Sequence, residues 1–377
     1  MPFEYYLNSE GKRLRCGYTT GTCAALAAAG AASLLISGAV PASVSLMTPK
    51  GIPVETELCA PERGSGWAKA GVAKDGGDDC DVTDGLVIFA CVSYSGTPGI
   101  RIEGGEGVGR VTKPGLDQPV GEAAINSVPR EMIARSVAAV CEQFGCTRGL
   151  LVTLSIPGGE ALAAKTFNPS LGIQGGLSIL GTSGIVEPMS RQALVDTISL
   201  QLRQGRAEGK TDLILTPGNY GLEYLSAQGW DSFGVPVVRC SNFIGDALDE
   251  AGLQGYQRVL LVGHAGKLVK LAGGIFNTHS RNADARTELL CAHAALCGAD
   301  SHLCRRIMDC VSCDAAREQI EGAGLWEAVS SGLMNAIDRR LKHRACGAYQ
   351  VGAVVFSNHY GLWGMTKDAE ELICRWK

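Results

Sequence analysis

At 377 residues, with 46% hydrophobic residues and a formal net charge of -4, the chain exceeds what one hydrophobic core usually organises, and two domains are expected. The acidic balance argues against a nucleic-acid surface, which normally needs a basic stripe to replace phosphate counterions. No uninterrupted apolar run reaches the roughly 18 residues of a membrane span, and "MPFEYYLNSEGKRLRCG" holds no signal core, so a cytoplasmic address without a membrane or nucleic-acid partner is expected.

In chain order, "TTGTCAALAAAGAASLLISG" predicts a helix from Thr22 to Ile36, alanine on all sides and therefore buried, with Gly38 as its stop. Thr19, Thr20 and Thr22 stand at its start, either as an ordinary threonine N-cap or as an anion site. The runs "SVSLMT", "PVETELCA", "WAKAGVAK" and "GLVIFACVSY" alternate with period two and predict an antiparallel sheet. A helix from Pro129 to Phe144 and a strand "GLLVTLSI" complete an α+β domain over residues 1–165. "GIQGGLSILGTSGIVEPMS" then combines glycines with branched apolar residues, too apolar for a linker and too glycine-rich for an ordinary strand.

The rhythm changes in residues 166–377. Helix "SRQALVDTISLQLRQG", strand "DLILTPG", a helix near Leu222 to Gln228, strand "PVVRCS", helix "FIGDALDEAG", strand "RVLLVGH" and helix "GKLVKLAGG" alternate. That alternation predicts an α/β domain with a mainly parallel sheet buried on both faces. Helices from Asn282 to Leu341 and a strand "QVGAVVFS" complete it. Loops at Thr216 to Gly221, Ser241 to Asn242 and Gly263 to Lys267 follow the strand ends and are expected to line one crevice.

Most catalytic templates fail. A Walker loop would need glycine where Leu261 stands, and "GEGVGRV" has Arg110 where a dinucleotide fingerprint wants its last glycine. The aspartates of "KDGGDDCDVTDG" put Asp84 and Ala90 at the positions an EF-hand reserves for glycine and glutamate, so an Asx-rich turn is the better reading. Of 15 cysteines, those from Cys291 to Cys313, with His293 and His302 among them, contain a single CxxC pair; packed helix cysteines are expected and no metal site. One constellation survives. His264 ends a strand, Gly266 and Lys267 open a helix with Lys270 following, and Asn277, Thr278, His279, Ser280, Arg281 and Arg286 crowd the next loop. These groups suit a ligand bearing several carboxylates.

"GYTTGTCAA", "GEGVGRVTKPGL", "SIPGGEALAAKTFNPSLGIQGGLSILGTSGIVEPMS" and "HAGKLVKLAGGIFNTHSRNADAR" closely resemble the CbiD family, the cobalt-precorrin-5B C1-methyltransferases of anaerobic cobalamin biosynthesis. The resemblance runs from about Cys16 to beyond Arg286, with "GAYQVGAVVFSNHYGLWG" as a weaker continuation; the cysteine-rich segment after Cys291 lies outside it. It implies methyl transfer from S-adenosylmethionine to C1 of a cobalt-bound corrin precursor, giving cobalt-precorrin-6A, with cobalt carried only by the substrate. It also implies a ribosomal protein S5 domain 2-like first domain and a Rossmann-like second.

On this reading the substrate's acid arms would meet Lys113, Lys267, Lys270, Asn277, Ser280, Arg281 and Arg286. His264 or His279 would take up a proton as the product settles, or simply position the ring. Gly175, Gly176, Gly181, Thr182, Ser183 and Gly184 would line the cofactor or macrocycle cleft, with Gly218 and Asn219 as a competing cofactor loop; tight packing is the alternative for the glycine stretch. A non-catalytic binding protein for carboxylated tetrapyrroles is the alternative function.

Overall fold

The computed structural model describes residues 3–9, 11–166, 168–169 and 171–377. Phe167 and Ser170 of the third family motif, and Met1, Pro2 and Glu10 of the N-terminal segment, lie outside the described residues. The chain is an α/β protein with mixed sheets, divided into two compact units, Met1–Ser190 and Arg191–Lys377.

In the first unit a five-stranded sheet runs in the order Cys59–Gly64, Trp67–Ala73, Val87–Ser95, Gly149–Ser155, Ile100–Gly104. Its neighbours are antiparallel except the last pair, which is parallel. Helix Thr20–Ser37 lies on the two strands Trp67–Ala73 and Val87–Ser95 and against helix Ser127–Gln143. Alanine is the residue that permits this, since small side chains let sheet and helix backbones approach while burying apolar surface. By length and composition that helix would also cross a membrane, but 83% of it is buried inside the protein. Thr19 caps its start by accepting from the Thr22 N–H, and Gly38, in the left-handed region at φ 81°, closes its end on the Leu34 carbonyl. The aspartate-rich segment is built on Asx turns, with Asp75 and Asp81 accepting from the N–H groups of Gly77 and Thr83, and is closed by Asp84 accepting from the Gly76 N–H.

The break between units falls after Ser190 rather than at 165/166, because the glycine-rich stretch is sewn into the first unit. Ile173–Gln174 pairs with Arg110–Val111, and Ile185–Val186 pairs with Gly17–Tyr18. Leu177, Ile179 and Ile185 are buried in the first core. The glycines are where they are because backbone passes against backbone. A methyl on Gly176 would stand 2.2 Å from the Gly107 carbonyl oxygen, and one on Gly181 2.2 Å from Thr19 Oγ1.

The second unit carries a sheet ordered Val237–Arg239, Asp212–Thr216, Arg258–His264, Gln350–Ser357, Gly361–Met365; the first four strands are parallel and the last is an antiparallel edge. Alternation sends Leu213, Leu215, Val259 and Leu261 to one core and Ile214, Leu260 and Val262 to the other. Helices Ile244–Leu253, Ala265–Ala272 and Trp326–Ala345 cover the first face, and Asn219–Ala227 and Lys367–Trp376 cover the second. The edge strand and the closing helix go beyond the sequence reading, which ended on "QVGAVVFS". Among the described residues no cluster of three or more His, Cys, Asp or Glu side chains is arranged to hold a metal ion.

Candidate active site

Parallel strands end together, so the loops that follow them share one rim of the second unit. Lys267, on the first turn of helix Ala265–Ala272, reaches across that rim. Its Nζ donates to the Pro217 carbonyl at 2.7 Å and to the Ser241 carbonyl at 3.4 Å, tying together the ends of two neighbouring strands. Burial pushes its pKa down, and an ammonium with three donors keeps one for a ligand. Ser241 adopts φ 52°, a left-handed conformation uncommon outside glycine, and so presents its carbonyl to the lysine.

His264 ends the strand Arg258–His264 and caps the helix that follows, its Nδ1 accepting from the Gly266 N–H at 3.1 Å. An accepting Nδ1 places the ring proton on Nε2. Burial of the half-buried ring lowers its pKa, partly offset by the Asp314 carboxylate. As built, then, His264 offers a ligand an N–H donor, and the proton-accepting role expected of it has no free lone pair to use. Tyr220, half-exposed, stands with its ring 5.7 Å from the imidazole. Gly218 borders open space and precedes helix Asn219–Ala227, while Asn219 Oδ1 accepts from Arg239 Nη1 at 3.2 Å.

The loop from Asn277 to Arg286 is fastened to the same rim. The Thr278 N–H donates to the Asn242 carbonyl at 3.0 Å, and Asn277 bridges to Phe243. Lys270 holds the loop from beneath. Only 2% exposed, it donates to the carbonyls of Thr278 at 3.1 Å and Ala283 at 2.9 Å, with Asp284 3.8 Å away. Its charge is thus spent on backbone, and the expected contact with substrate gives way to a structural one. Arg286 forks onto Asp284, raising its own pKa and lowering that of the carboxylate. His279, Ser280 and Arg281 are exposed at the loop's tip; the His279 Nδ1 accepts from the Arg281 N–H at 3.2 Å, which again leaves Nε2 as the donor.

The expected site residues therefore separate. His264, Lys267, Lys270, Gly218, Asn219 and the loop residues Asn277, His279, Ser280, Arg281 and Arg286 belong to the second unit, whereas Lys113, Gly175, Gly176, Gly181, Thr182, Ser183 and Gly184 belong to the first. There Lys113 packs its stem over Gly172. Gly176, Gly181 and Gly184 face Gly107, Thr19 and Thr48 of their own unit, while Gly175 and Thr182 are exposed. The start of helix Thr20–Ser37 is closed by this same stretch: the Gly21 N–H donates to the Leu180 carbonyl and the Thr22 hydroxyl to the Gly184 carbonyl. Asp314 and Arg317, beside the rim on helix Cys313–Gly322, escaped the sequence reading. Arg317 is surrounded by Trp326, Tyr360 and Trp363, which no local spacing connects to it.

Comparison with known proteins decides the family. The CbiD model matches residues 7–188, and the model of the CbiD C-terminal domain matches residues 277–367. The chain belongs to the CbiD family. The CbiD C-terminal match takes in the cysteine-rich segment, which the sequence resemblance had left out. Among CbiD relatives, the cobalt-precorrin-5B C(1)-methyltransferase of Ruminiclostridium cellulolyticum is 44% identical over 358 residues, covering 94% of this chain and 92% of that protein. The enzyme of the same name from Alkaliphilus metalliredigens is 40% identical, covering 98% and 97%. A crystal structure of the cobalamin biosynthesis protein CbiD from Archaeoglobus fulgidus is 28% identical, covers 74% of this chain and 87% of that one, and superposes with a TM-score of 0.40.

Proposed function

We propose that this chain is a cobalt-precorrin-5B C(1)-methyltransferase, transferring a methyl group from S-adenosylmethionine to C1 of a cobalt-bound corrin precursor to give cobalt-precorrin-6A in anaerobic cobalamin biosynthesis. The observation that carries this is near-full-length identity of 44% and 40% to two proteins of that name. The donor's sulfonium supplies an electrophilic methyl, so the task left to the protein is alignment of two bound molecules. The rim suits that task. Lys267, the His264 Nε2–H and the loop from Asn277 to Arg281 present donors to acid arms, and no nucleophilic side chain is needed.

For the donor, Gly218 and Asn219 are favoured over Gly175 to Gly184. Gly218 leaves open space beside a helix start, whereas Gly176, Gly181 and Gly184 are filled by their own unit. The fitted chemistry is backbone N–H donation to the donor's carboxylate. On the same reading the first unit is S5 domain 2-like, the second is Rossmann-like, and the protein works in the cytoplasm on a small-molecule tetrapyrrole. Incubation with cobalt-precorrin-5B and methyl-labelled S-adenosylmethionine tests the function. Label on the ring with release of S-adenosylhomocysteine supports it. Saturable binding of the ring with no transfer would instead make the chain a tetrapyrrole carrier.

A further inference from the structure

We infer that Arg317, with the aromatic side chains around it, is a carboxylate-binding subsite at the rim of the second unit, receiving an acid arm of the tetrapyrrole; this rests on the proposed function. Arg317 lies on helix Cys313–Gly322 and is 8% exposed. Its Cζ stands 4.1 Å from the Tyr360 ring centroid, 4.4 Å from that of Trp326 and 5.5 Å from that of Trp363. Aromatic rings take the flat faces of a guanidinium and leave its N–H edge for a planar oxyanion. That edge is unsatisfied. Among the described residues neither Nε nor Nη1 of Arg317 has a hydrogen-bond partner, and neither does the buried Nε1 of Trp363. The nearest carboxylate oxygen, on Glu321, stands 3.6 Å from Nε and makes no hydrogen bond.

Buried donors are almost always paired, and a charged one left bare is costly. One aromatic cluster holding three bare donor nitrogens, which the unpartnered Asp314 Oδ1 one turn earlier does not reach, therefore calls for an acceptor from outside the chain. Position supplies the candidate. Tyr360 follows the carboxyl end of strand Gln350–Ser357, whose Phe356 is paired with His264, and the Asp314 charge one turn before Arg317 is felt at His264. Trp326 and Trp363 also line a neighbouring cleft of about 370 Å³ with Glu327, Ser330 and Asn335, which Arg317 itself does not line. A ring gripped at His264 and the loop from Asn277 to Arg281 has acid arms on several sides, and this cluster stands ready for one of them.

The test compares the full chain with Arg317→Lys, which keeps charge but loses the fork, and Arg317→Met, which keeps the packing alone. Uroporphyrin I, an octacarboxylate tetrapyrrole, serves as the probe, with KM and kcat measured on cobalt-precorrin-5B. Both variants are expected to melt as cooperatively as wild type. Each is expected to bind the probe roughly tenfold to hundredfold more weakly, the value of a hydrogen bond to a charged group, with the loss seen in KM. Unchanged probe affinity and KM would reduce the cluster to a buried cation held by its aromatic neighbours alone, and would overturn the subsite. Should neither variant fold, illumination of the uroporphyrin-bound wild type decides, since singlet oxygen made at the ring must oxidise Trp326, Tyr360 or Trp363; oxidation found only elsewhere overturns the proposal. A wild type that transfers no methyl label overturns the proposed function, and the uroporphyrin arms still read the subsite by themselves.

Discussion

His264 shows how one side chain can serve backbone and ligand together. Its Nδ1 is committed to the Gly266 N–H, which leaves the Nε2–H for the rim. His264→Asn keeps a capping oxygen but removes the ring donor, so the melting temperature should hold while kcat/KM falls roughly tenfold to hundredfold. A parallel loss of stability would mean that the cap, and not the donor, is what matters. Burial also sets a sign for pH. The folded His264 titrates below its ordinary 6.5, so the unfolded chain takes up this proton first on acidification. Its contribution to stability is complete above about 6.5 and is lost as pH falls from there toward the lower folded value. His293 is shifted the same way by burial and by Arg339. Unfolding free energy should therefore drop less steeply below that pH in His264→Asn than in wild type; equal slopes would contradict the burial argument. At this scale the sequence was readable where chemistry and chain position coincide: a histidine ending an apolar strand and a lysine opening the next helix. It was unreadable at Lys270, whose donors go to carbonyls of a loop that only folding brings beneath it.

Two segments stand out in the sequence, one rich in glycine and the other in polar and cationic groups, and they have opposite fates. The stretch from Gly172 to Gly184 is fixed by close contacts within its own unit, so Gly176→Ala should cost about 1–3 kcal/mol in denaturant unfolding, as forced overpacking does. A cost under ~0.5 kcal/mol would show that the backbone can yield there. The loop from Asn277 to Arg286 is instead slung from one buried ammonium. Removing that anchor by Lys270→Met should speed amide hydrogen exchange at residues 278–284 and raise KM more than it lowers kcat; unchanged exchange would mean the loop is held by Asn242 alone. Period-two and helical patterns made Trp67–Ala73, Val87–Ser95, Gly149–Ser155 and the longer helices legible to within a few residues, but not strand Ile100–Gly104 of the same sheet or the paired strands Tyr6–Ser9 and Lys12–Arg15. The short pairings at Ile173–Gln174 and Ile185–Val186 were not, because strands of two residues carry no periodicity.

For the molecule as a whole, two folding rhythms along the chain correspond to two units with separate cores. The parallel sheet of the second was legible from strands of about five apolar residues between helices. Its antiparallel edge Gly361–Met365 was not, being brief and glycine-bearing. Topology gathers Gly218, Ser241 and His264 at one rim, as the loops after the strand ends led the sequence to suggest, and adds the turn before Tyr360, which no motif announced. The claim that methyl transfer happens there is tested most directly at Gly218. Its φ of 169° is extended backbone open to any residue, and nothing stands within 4 Å of where a Cβ would go. Gly218→Trp should therefore fold with the melting temperature of wild type and fill the rim, and the rate of methyl-label transfer to cobalt-precorrin-5B should fall to background. Transfer at the wild-type rate by that folded variant would contradict the account and move the reaction away from this rim.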